Sequence, residues 1–155
     1  MADLPRGEII FPTKLGRVRL TFSSGGVTGL KFCRQISFSG SIPNFVKQAR
    51  HQIRQYAAGK RIRFTVLLDL SSGTKFQQLV WKALQKIPDC ETRSYAWVAR
   101  QIGNPKAARA VGAACGANPV LLLVPCHRVV ASDGGLGGFS CGLPLKRQLL
   151  NLEAR

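Results

Sequence analysis

Short runs in which apolar and polar residues alternate fill the first part of the chain. EIIF (8–11), RVRLTF (17–22) and VTGLKF (27–32) predict β-strands, and SSGG at 23–26 predicts a hairpin turn. RFTVLLDL at 63–70 predicts a further strand. Between them, apolar residues recur at helical spacing from Asn44 to Ala58, and Gly59 follows, which predicts an amphipathic helix. Residues 1–70 are therefore expected to form an α/β domain, a small antiparallel sheet with one helix.

The pattern becomes helical after SSG at 71–73, which is a plausible domain boundary. In TKFQQLVWKALQKIP, Thr74 and Gln77 have the spacing of a capping box, and Pro88 ends the helix. A last helix is expected over about 143–152, where leucines recur. The second domain, residues 74–155, is expected to be mostly helical, so the fold class of the whole chain is α/β (α+β).

Two short helices with a tight joint are predicted in SYAWVARQIGNPKAARAVGAACGANP (94–119). Gly103 suits the left-handed end of the first helix, Asn104 the N-cap of the second, and Pro105 its first position. Two helices across a short turn with glycine form the pattern of a helix-turn-helix, although many unrelated helix pairs share it.

The second helix of this pair, Lys106 to about Cys115, consists almost entirely of alanine and glycine. Either it packs closely against its neighbours, or it enters a narrow space such as a DNA minor groove, which is roughly 6 Å wide. In the second case the backbone N–H groups at Asn104–Lys106 would face a phosphate, and Arg109 would intrude at a base step. The sequence leaves these two interpretations equally open.

An apolar stretch leads directly to a thiol in LLLVPCHRVV (121–130), which suggests a buried strand that ends at Cys126. A buried cysteine is usually inert packing. Here His127 follows it, and Glu153 at the end of the last helix could complete a Cys–His–Glu relay that activates the sulfur. Because adjacent strand side chains point to opposite faces, His127 can reach the sulfur only if the chain turns or a water intervenes.

Charge and composition narrow the choice of partner and compartment. The chain has 23 lysines and arginines against 7 acidic residues, a net charge of +16 that favours a nucleic-acid partner. The first twenty residues lack the pattern of a signal peptide, and no apolar run approaches the ~18 residues of a membrane span, so we expect an intracellular protein. Five scattered cysteines and two histidines predict reduced thiols and no metal site.

PCHRVV, with RAVGAACGANP before it and GLGGFSCGLPLKRQLLNLE after it, closely resembles the O6-alkylguanine-DNA alkyltransferases. The resemblance covers about residues 74–153, and residues 1–70 fit the family's variable, RNase H-like α/β domain in outline. It implies DNA repair by direct reversal: the alkyl group of O6-alkylguanine, or less readily of O4-alkylthymine, moves irreversibly to the protein's own cysteine in a single turnover. It further implies nucleotide flipping from double-stranded DNA, no cofactor, a monomer, and a cytoplasmic (nucleoid-associated) or nuclear location.

The same resemblance implies a role for each residue of the reacting centre. Cys126 would accept the alkyl group, His127 would act on it through a water, and Glu153 would orient His127. Asn118 would hold the turn before the active-site segment, with ordinary Asn-Pro turn chemistry as the simpler explanation. Tyr95 would donate toward the guanine ring, and its simpler explanation is a core tyrosine at a helix end.

The remaining implied residues hold the base or the DNA. Arg109 would fill the gap that the flipped nucleotide leaves, and Phe139 would stack on the guanine. The guanine edge would be read by the Val129 backbone and Ser140. Phosphate contacts would come from Asn104, Lys106 and Ser132.

Three positions depart from the family pattern. Cys90 stands where glycine is common, which would strain a turn that needs positive φ. Phe139 replaces a common tyrosine, and Leu121 replaces the second proline that some members carry.

Three other functions compete with alkyl transfer. The main alternative function is that of a non-enzymatic lesion-binding protein of the alkyltransferase-like type, a class that lacks the acceptor cysteine. The others are a plain helix-turn-helix protein with an inert cysteine and a cysteine hydrolase that turns over repeatedly.

Overall fold

A computed structural model describes residues 6–36, 41–60 and 63–154 of the chain. The chain divides into two compact units. The first comprises Met1–Leu70 together with Pro119–Leu123, and the second comprises Ser71–Asn118 with Val124–Arg155. The predicted boundary at 71–73 lies beside this division, but the short segment Pro119–Leu123 belongs to the first unit.

The first unit contains a three-stranded antiparallel sheet in the order β1-β2-β3, with β1 at Gly7–Thr13, β2 at Gly16–Ser23 and β3 at Gly26–Phe32. Alternate residues of β2, namely Val18, Leu20 and Phe22, are buried, as the alternating pattern requires. The β2–β3 hairpin turns at the predicted SSGG stretch. The three predicted strands and the antiparallel arrangement are confirmed.

Helix α1 spans Asn44–Ala57 and buries one face, as its helical spacing of apolar residues predicts. Its Arg54 anchors it to β1, because Nε donates to the carbonyl of Pro12 at 3.3 Å and the guanidinium lies over the ring of Phe11. The buried residues of α1 are Val46, Ala49, Ile53, Tyr56 and Ala57.

The strand predicted at 63–70 is wrong. This segment forms one isolated parallel bridge, between Val27 and Leu68, rather than a strand. The reason is that the Gln52 side chain of α1 bonds both the backbone N–H and the hydroxyl of Thr65, so that part of the segment pairs with a helix side chain. Gly26, with φ +135°, accommodates the close approach, since a Cβ there would collide with the carbonyl of Leu67.

The buried strand predicted before Cys126 is also absent. Val120 makes a single parallel bridge with Leu30, supported by a hydrogen bond of 2.9 Å from Leu30 N to Pro119 O. Leu122 then adopts φ +69°, a left-handed conformation that interrupts an extended chain. The apolar residues of the segment are buried as expected, but in a tight turn rather than a strand.

The second unit begins with helix α2, Lys75–Leu84, and the predicted capping box of Thr74 and Gln77 is present in both directions. The indole N–H of Trp81 donates to the carbonyl of Ala114 at 2.9 Å, which joins α2 to a later helix. Strand β4, Arg93–Ser94, pairs in parallel with β5, Val129–Val130. The unit ends with helix α5, Leu143–Glu153, close to its predicted bounds.

The predicted helix pair is confirmed, with α3 at Tyr95–Gln101 and α4 at Ala108–Gly116. Gly103 is left-handed, with φ +75°, as expected at the end of α3. Asn104 is not the N-cap of α4. Its N–H donates to the carbonyl of Ala99 and its carbonyl accepts from Ala107, so residues 104–107 form a separate turn and α4 starts later.

Candidate active site

Cys126 opens a 3-10 helix, Cys126–Arg128, that follows Pro125 directly. Its side chain is buried, with 4% of the residue exposed. The Nδ2 group of Asn118 donates to Sγ of Cys126 at 3.2 Å and to the carbonyl of Val124 at 2.8 Å. Burial raises the pKa of the Cys126 thiol, while the hydrogen bond from Asn118 and the charge of Lys146 lower it.

His127 follows Cys126 directly, so it can act on the thiol only where the chain turns, and the 3-10 helix provides such a turn. His127 is 1% exposed, and its Nε2 lies 2.7 Å from Oε1 of Glu153 at the end of α5. Burial lowers the pKa of His127, and the hydrogen bond to Glu153 raises it. A neutral ring that donates through Nε2 carries its lone pair on Nδ1, which is then the basic nitrogen of the ring.

Arg128 anchors Glu153 and was not singled out from the sequence. Its Nε donates to Oε2 and its Nη2 to Oε1 of Glu153, both at 2.9 Å. The same guanidinium donates to the carbonyl of Ile87 at 2.8 Å and to Asp89 at 2.9 Å. This bidentate geometry favours the carboxylate form of Glu153. In the sequence, Arg128 stands inside an apolar run, and an arginine in that position predicts a buried guanidinium that needs a buried partner.

A cavity of about 490 Å³ opens beside the thiol. Tyr95 lies on its wall and donates to the carbonyl of Gly138 at 3.4 Å. Burial raises the pKa of Tyr95, which keeps its hydroxyl protonated. The lining residues are Tyr95, Ala108, Arg109, Gly112, Cys115, Gly116, Cys126, Gly138, Phe139 and Ser140.

The structure therefore brings five of the predicted site residues to one cavity. They are Tyr95, Arg109, Cys126, Phe139 and Ser140. Asn118 donates directly to the thiol, and His127, the next residue after Cys126, is paired with Glu153. Among the described residues, the lining does not include Val129, whose carbonyl accepts from Lys146, nor the exposed residues Asn104, Lys106 and Ser132.

The exposure of α4 bears on both interpretations of its small residues. Val111, Ala114 and Cys115 are buried, so these pack against neighbours. Arg109, together with small residues that include Ala113, is exposed. Apart from Arg109, this exposed face carries only small residues, which internal packing does not explain and which suits close approach to a partner surface.

Cys115 and Cys90 are two further thiols near this site. Cys115 lines the cavity, and burial raises its pKa to about 12, so it stays protonated at neutral pH. Cys90 adopts φ +67°, the left-handed conformation expected where the pattern favours glycine. Its Sγ lies 2.7 Å from the carbonyl of Glu153 and ties the end of α5 to the turn after α2.

In the described part of the chain, no group of three or more His, Cys, Asp or Glu side chains is arranged to hold a metal ion. No helix in those ranges has the length and apolar content to cross a membrane.

The fold and the site define a helix-turn-helix unit built around an enclosed cysteine. A family profile described as "6-O-methylguanine DNA methyltransferase, DNA binding domain" matches residues 75–155. A methylated-DNA–protein-cysteine methyltransferase of Methanosarcina acetivorans is 40% identical over 153 residues, which cover 93% of this chain and 96% of the relative. The structure of Mycobacterium tuberculosis OGT in complex with DNA has a TM-score of 0.82 and 44% identity, covering 94% of this chain and 91% of that one.

A second relative, from Mycobacterium bovis, is also named methylated-DNA–protein-cysteine methyltransferase and is 53% identical over 111 residues, 72% of this chain and 67% of the relative. The chain belongs to the methylated-DNA–protein-cysteine methyltransferase family. The resemblance inferred from PCHRVV and its flanking motifs is thereby confirmed.

Proposed function

We propose that this protein repairs double-stranded DNA by moving the alkyl group of O6-alkylguanine, and less readily of O4-alkylthymine, to Cys126. The observation that carries the proposal is the position of Cys126. Its sulfur accepts a hydrogen bond from Asn118 and lies on the wall of a cavity of about 490 Å³ that also includes Arg109 of α4. A buried thiol with a polar donor and an adjoining cavity is arranged to react with a group brought in from outside.

Helix α4 is the proposed DNA-reading element. Its exposed alanines and glycines allow the backbone to enter the minor groove, and the net charge of +16 attracts the phosphates. The O6 carbon is out of reach inside a duplex, so the nucleotide must rotate out at a cost of a few kcal/mol. Arg109, exposed at the cavity, fills the vacated stack. Phosphates are contacted by Asn104, Lys106 and Ser132.

The chemistry follows from the relay behind the thiol. His127 accepts the Cys126 proton through a water, and Glu153, held by Arg128, stabilises the imidazolium. The thiolate attacks the alkyl carbon; the S–C bond forms, the C–O6 bond breaks, and its electron pair goes to the guanine. The protonated Tyr95 hydroxyl donates toward the ring, so the purine leaves neutral. A thioether is a poor leaving group, so each molecule acts once and needs no cofactor.

The base is held by two residues that line the cavity and by the Val129 backbone, which lies outside that lining. Phe139 stacks on the guanine, and Ser140 with the Val129 backbone reads its edge. Residues 74–155 act as the DNA-binding and alkyl-acceptor domain, and residues 1–70 as an accessory RNase H-like domain. The protein works as a monomer on chromosomal DNA, in the nucleoid or the nucleus.

The test is incubation of the protein with an O6-methylguanine duplex, followed by intact and peptide mass measurement. We expect one methyl mass per protein, on the peptide that contains Cys126. Cys126→Ser protein and a duplex with unmodified guanine are the controls. Duplex binding without any gain in mass would favour a lesion-binding protein of the alkyltransferase-like type, and repeated turnover would favour a hydrolase.

A further inference from the structure

Helix α1 of the first unit presents a face of basic residues to solvent. Val46, Ala49 and Ile53 are buried on one side of the helix. The opposite side carries basic residues at the spacing i, i+3, i+4 and i+7, which places them in one stripe along a helix. One of them is half-buried and the other three are exposed. These residues, the α1 cationic face, are Lys47, Arg50, His51 and Arg54.

No acidic residue pairs with this face within the described part of the chain. Residues 44–57 contain neither Asp nor Glu, and the ion pairs of the described ranges do not include its members. The described acidic residues of the first unit have partners elsewhere. Oε2 of Glu8 lies 3.6 Å from Nε of Arg19, and Asp69 accepts from the Ser23 hydroxyl at 2.7 Å.

The clustering of these charges costs the helix stability. Like charges three or four positions apart repel each other, as for Lys47 with Arg50 and for Arg50 with Arg54. Lys47 also lies at the end of the first turn of α1, near the positive end of the helix dipole, which disfavours a cation. A helix that needed these side chains only for solubility would gain from mixed charges, so an anionic partner explains the cluster better.

Packing against the sheet fixes the position of the face. The ring of Phe45 in α1 meets that of Phe22 in β2 edge-on, with the ring centroids 5.9 Å apart. Arg54 is held at β1 by the bond from its Nε to the carbonyl of Pro12, which uses one of the five N–H donors of the guanidinium. A partner would therefore meet charges that are already in place, and it would not have to order the helix.

The chemistry of the face fits a nucleic-acid backbone rather than a membrane surface. A helix that binds a membrane surface inserts apolar side chains into the lipid, whereas the apolar side of α1 is buried. Gln48 and Gln55 accompany the cations, and glutamine, lysine and arginine all donate hydrogen bonds to phosphate oxygens. From Lys47 to Arg54 the helix rises about 10 Å, which matches about three phosphate steps along one strand.

We propose that the α1 cationic face is a second DNA-docking surface, which contacts the phosphates of double-stranded DNA without reading bases. The inference goes beyond the proposed function, which assigns DNA contact to α4 and to residues near the cavity. Long side chains make this contact, so it does not need the close backbone approach proposed for α4. An apolar side chain added beside the face, as in Ala58→Leu, therefore leaves it intact.

Lys47→Glu separates docking from a structural role, because the two roles predict different outcomes. The new carboxylate lies near the N-terminus of α1 and three and four residues before Arg50 and His51, so the free energy of unfolding in urea should stay equal or rise. Binding to an undamaged duplex, measured by fluorescence anisotropy, should weaken about tenfold in about 50 mM salt. Equal duplex affinity in folded Lys47→Glu protein would overturn the proposal.

Lys31→Glu is the matched control, since it makes the same change of charge on the same unit. Lys31 is exposed on β3 and pairs across the sheet with Arg19. Alternation along β2 puts Arg19 on the opposite face to the buried Val18 and Leu20, so Lys31 points away from the sheet's buried face. Duplex affinity should fall less than about twofold. An equal loss in Lys31→Glu and Lys47→Glu would mean that only net charge matters, and the proposal would fail.

The salt dependence of duplex binding counts the phosphate contacts. The logarithm of the association constant falls with the logarithm of salt concentration by about 0.9 per phosphate that the protein neutralises. Lys47→Gln/Arg50→Gln should therefore reduce the slope by about 1.8, whereas Lys31→Gln/Arg34→Gln, at two exposed positions, should leave it within about 0.5. A slope that does not change in the first double variant would contradict docking by this face.

Two further outcomes distinguish this inference from its alternatives. If Lys47→Glu lost binding to phosphatidylserine vesicles in co-sedimentation and kept full duplex affinity, the partner would be a membrane surface and the proposal would be wrong. The DNA assays use an undamaged duplex and involve no alkyl transfer. Absence of methyl transfer to Cys126 would therefore remove the proposed function, while the affinities and salt slopes would still decide the role of the α1 cationic face.

Discussion

Arg128 and Glu153 form a buried pair of parallel hydrogen bonds, Nε to Oε2 and Nη2 to Oε1, each 2.9 Å long. Oε1 of Glu153 also lies 2.7 Å from Nε2 of His127. The relay suggested by Cys126, His127 and Glu153 is therefore held in place by a fourth residue, which the chain positions directly after the histidine.

We expect Arg128→Lys to destabilise the protein and to slow alkyl transfer. Lysine cannot make the bidentate contact, so a buried carboxylate loses its partner and His127 loses its orientation. The free energy of unfolding should fall by about 3 kcal/mol in urea denaturation, and single-turnover transfer should slow at least about tenfold. Arg93→Lys, at the partly exposed pair with Glu91, should cost less than about 1 kcal/mol. Full stability and activity in Arg128→Lys would contradict the role of this pair.

Asn118→Asp removes the hydrogen-bond donor to Sγ of Cys126 and leaves the size and shape of the side chain almost unchanged. The new carboxylate replaces a group that donates to Sγ of Cys126 and to the carbonyl of Val124 with one that only accepts. The Cys126 pKa should rise, and iodoacetamide alkylation at neutral pH should slow about tenfold or more. Asn151→Asp, on the exposed side of α5, should leave the rate unchanged. An unaltered rate in Asn118→Asp would remove Asn118 from the activation of the thiol.

Ala113→Leu tests the meaning of the small residues in α4. Ala113 is exposed, so a leucine there should leave the free energy of unfolding within about 0.5 kcal/mol. If the helix enters a minor groove, the bulkier side chain should weaken duplex binding about tenfold or more in fluorescence anisotropy. Ala58→Leu, an exposed change after α1, is the control for added apolar surface. Equal duplex affinity in both variants would argue against close approach by this face.

The stability of the protein at alkaline pH should depend on Cys115. Its pKa is raised to about 12 in the folded chain from 9.0, so the thiol contributes stability that is present below pH 9 and is lost as the pH rises toward 12. Between pH 9 and 11, Cys115→Ala should therefore lose less unfolding free energy than the unchanged protein, measured by urea denaturation at each pH. Parallel pH curves for the two proteins would show that Cys115 does not contribute.

Local sequence patterns predicted the strands, caps and turns that are determined by residues close to them in sequence. The alternating runs of β1, β2 and β3, the capping box at Thr74 and the left-handed Gly103 each depend on neighbours within a few residues. Cys126, His127 and Glu153 could be connected first as a nucleophile, a base and an acid, and then through the family resemblance. The structure brings His127 and Glu153 together although they are 26 residues apart in sequence.

The elements that the patterns missed depend on distant partners. The strand predicted at 63–70 is replaced by side-chain pairing between Gln52 and Thr65, which no short-range pattern records. The later start of α4 depends on the bonds of the Asn104 backbone to Ala99 and Ala107 rather than on its capping propensity. Lys146 looks like an ordinary helix lysine in the sequence, because the backbone carbonyls that accept from its Nζ, those of Val129, Leu136 and Gly138, lie eight to seventeen residues away.

The placement of Pro119–Leu123 in the first unit affects how the protein can be divided. This pentapeptide separates Asn118 from Val124 in sequence, so the stretch of chain between Cys126 and its hydrogen-bond donor includes a segment of the first unit. A truncated protein that starts at Ser71 would keep the reactive cysteine but would lack the strand that contacts this segment. Its buried residues Val120, Leu121, Leu122 and Leu123 would then form an exposed apolar loop that favours aggregation. Domain shuffling and engineered fusions must therefore retain a first unit that can receive this loop.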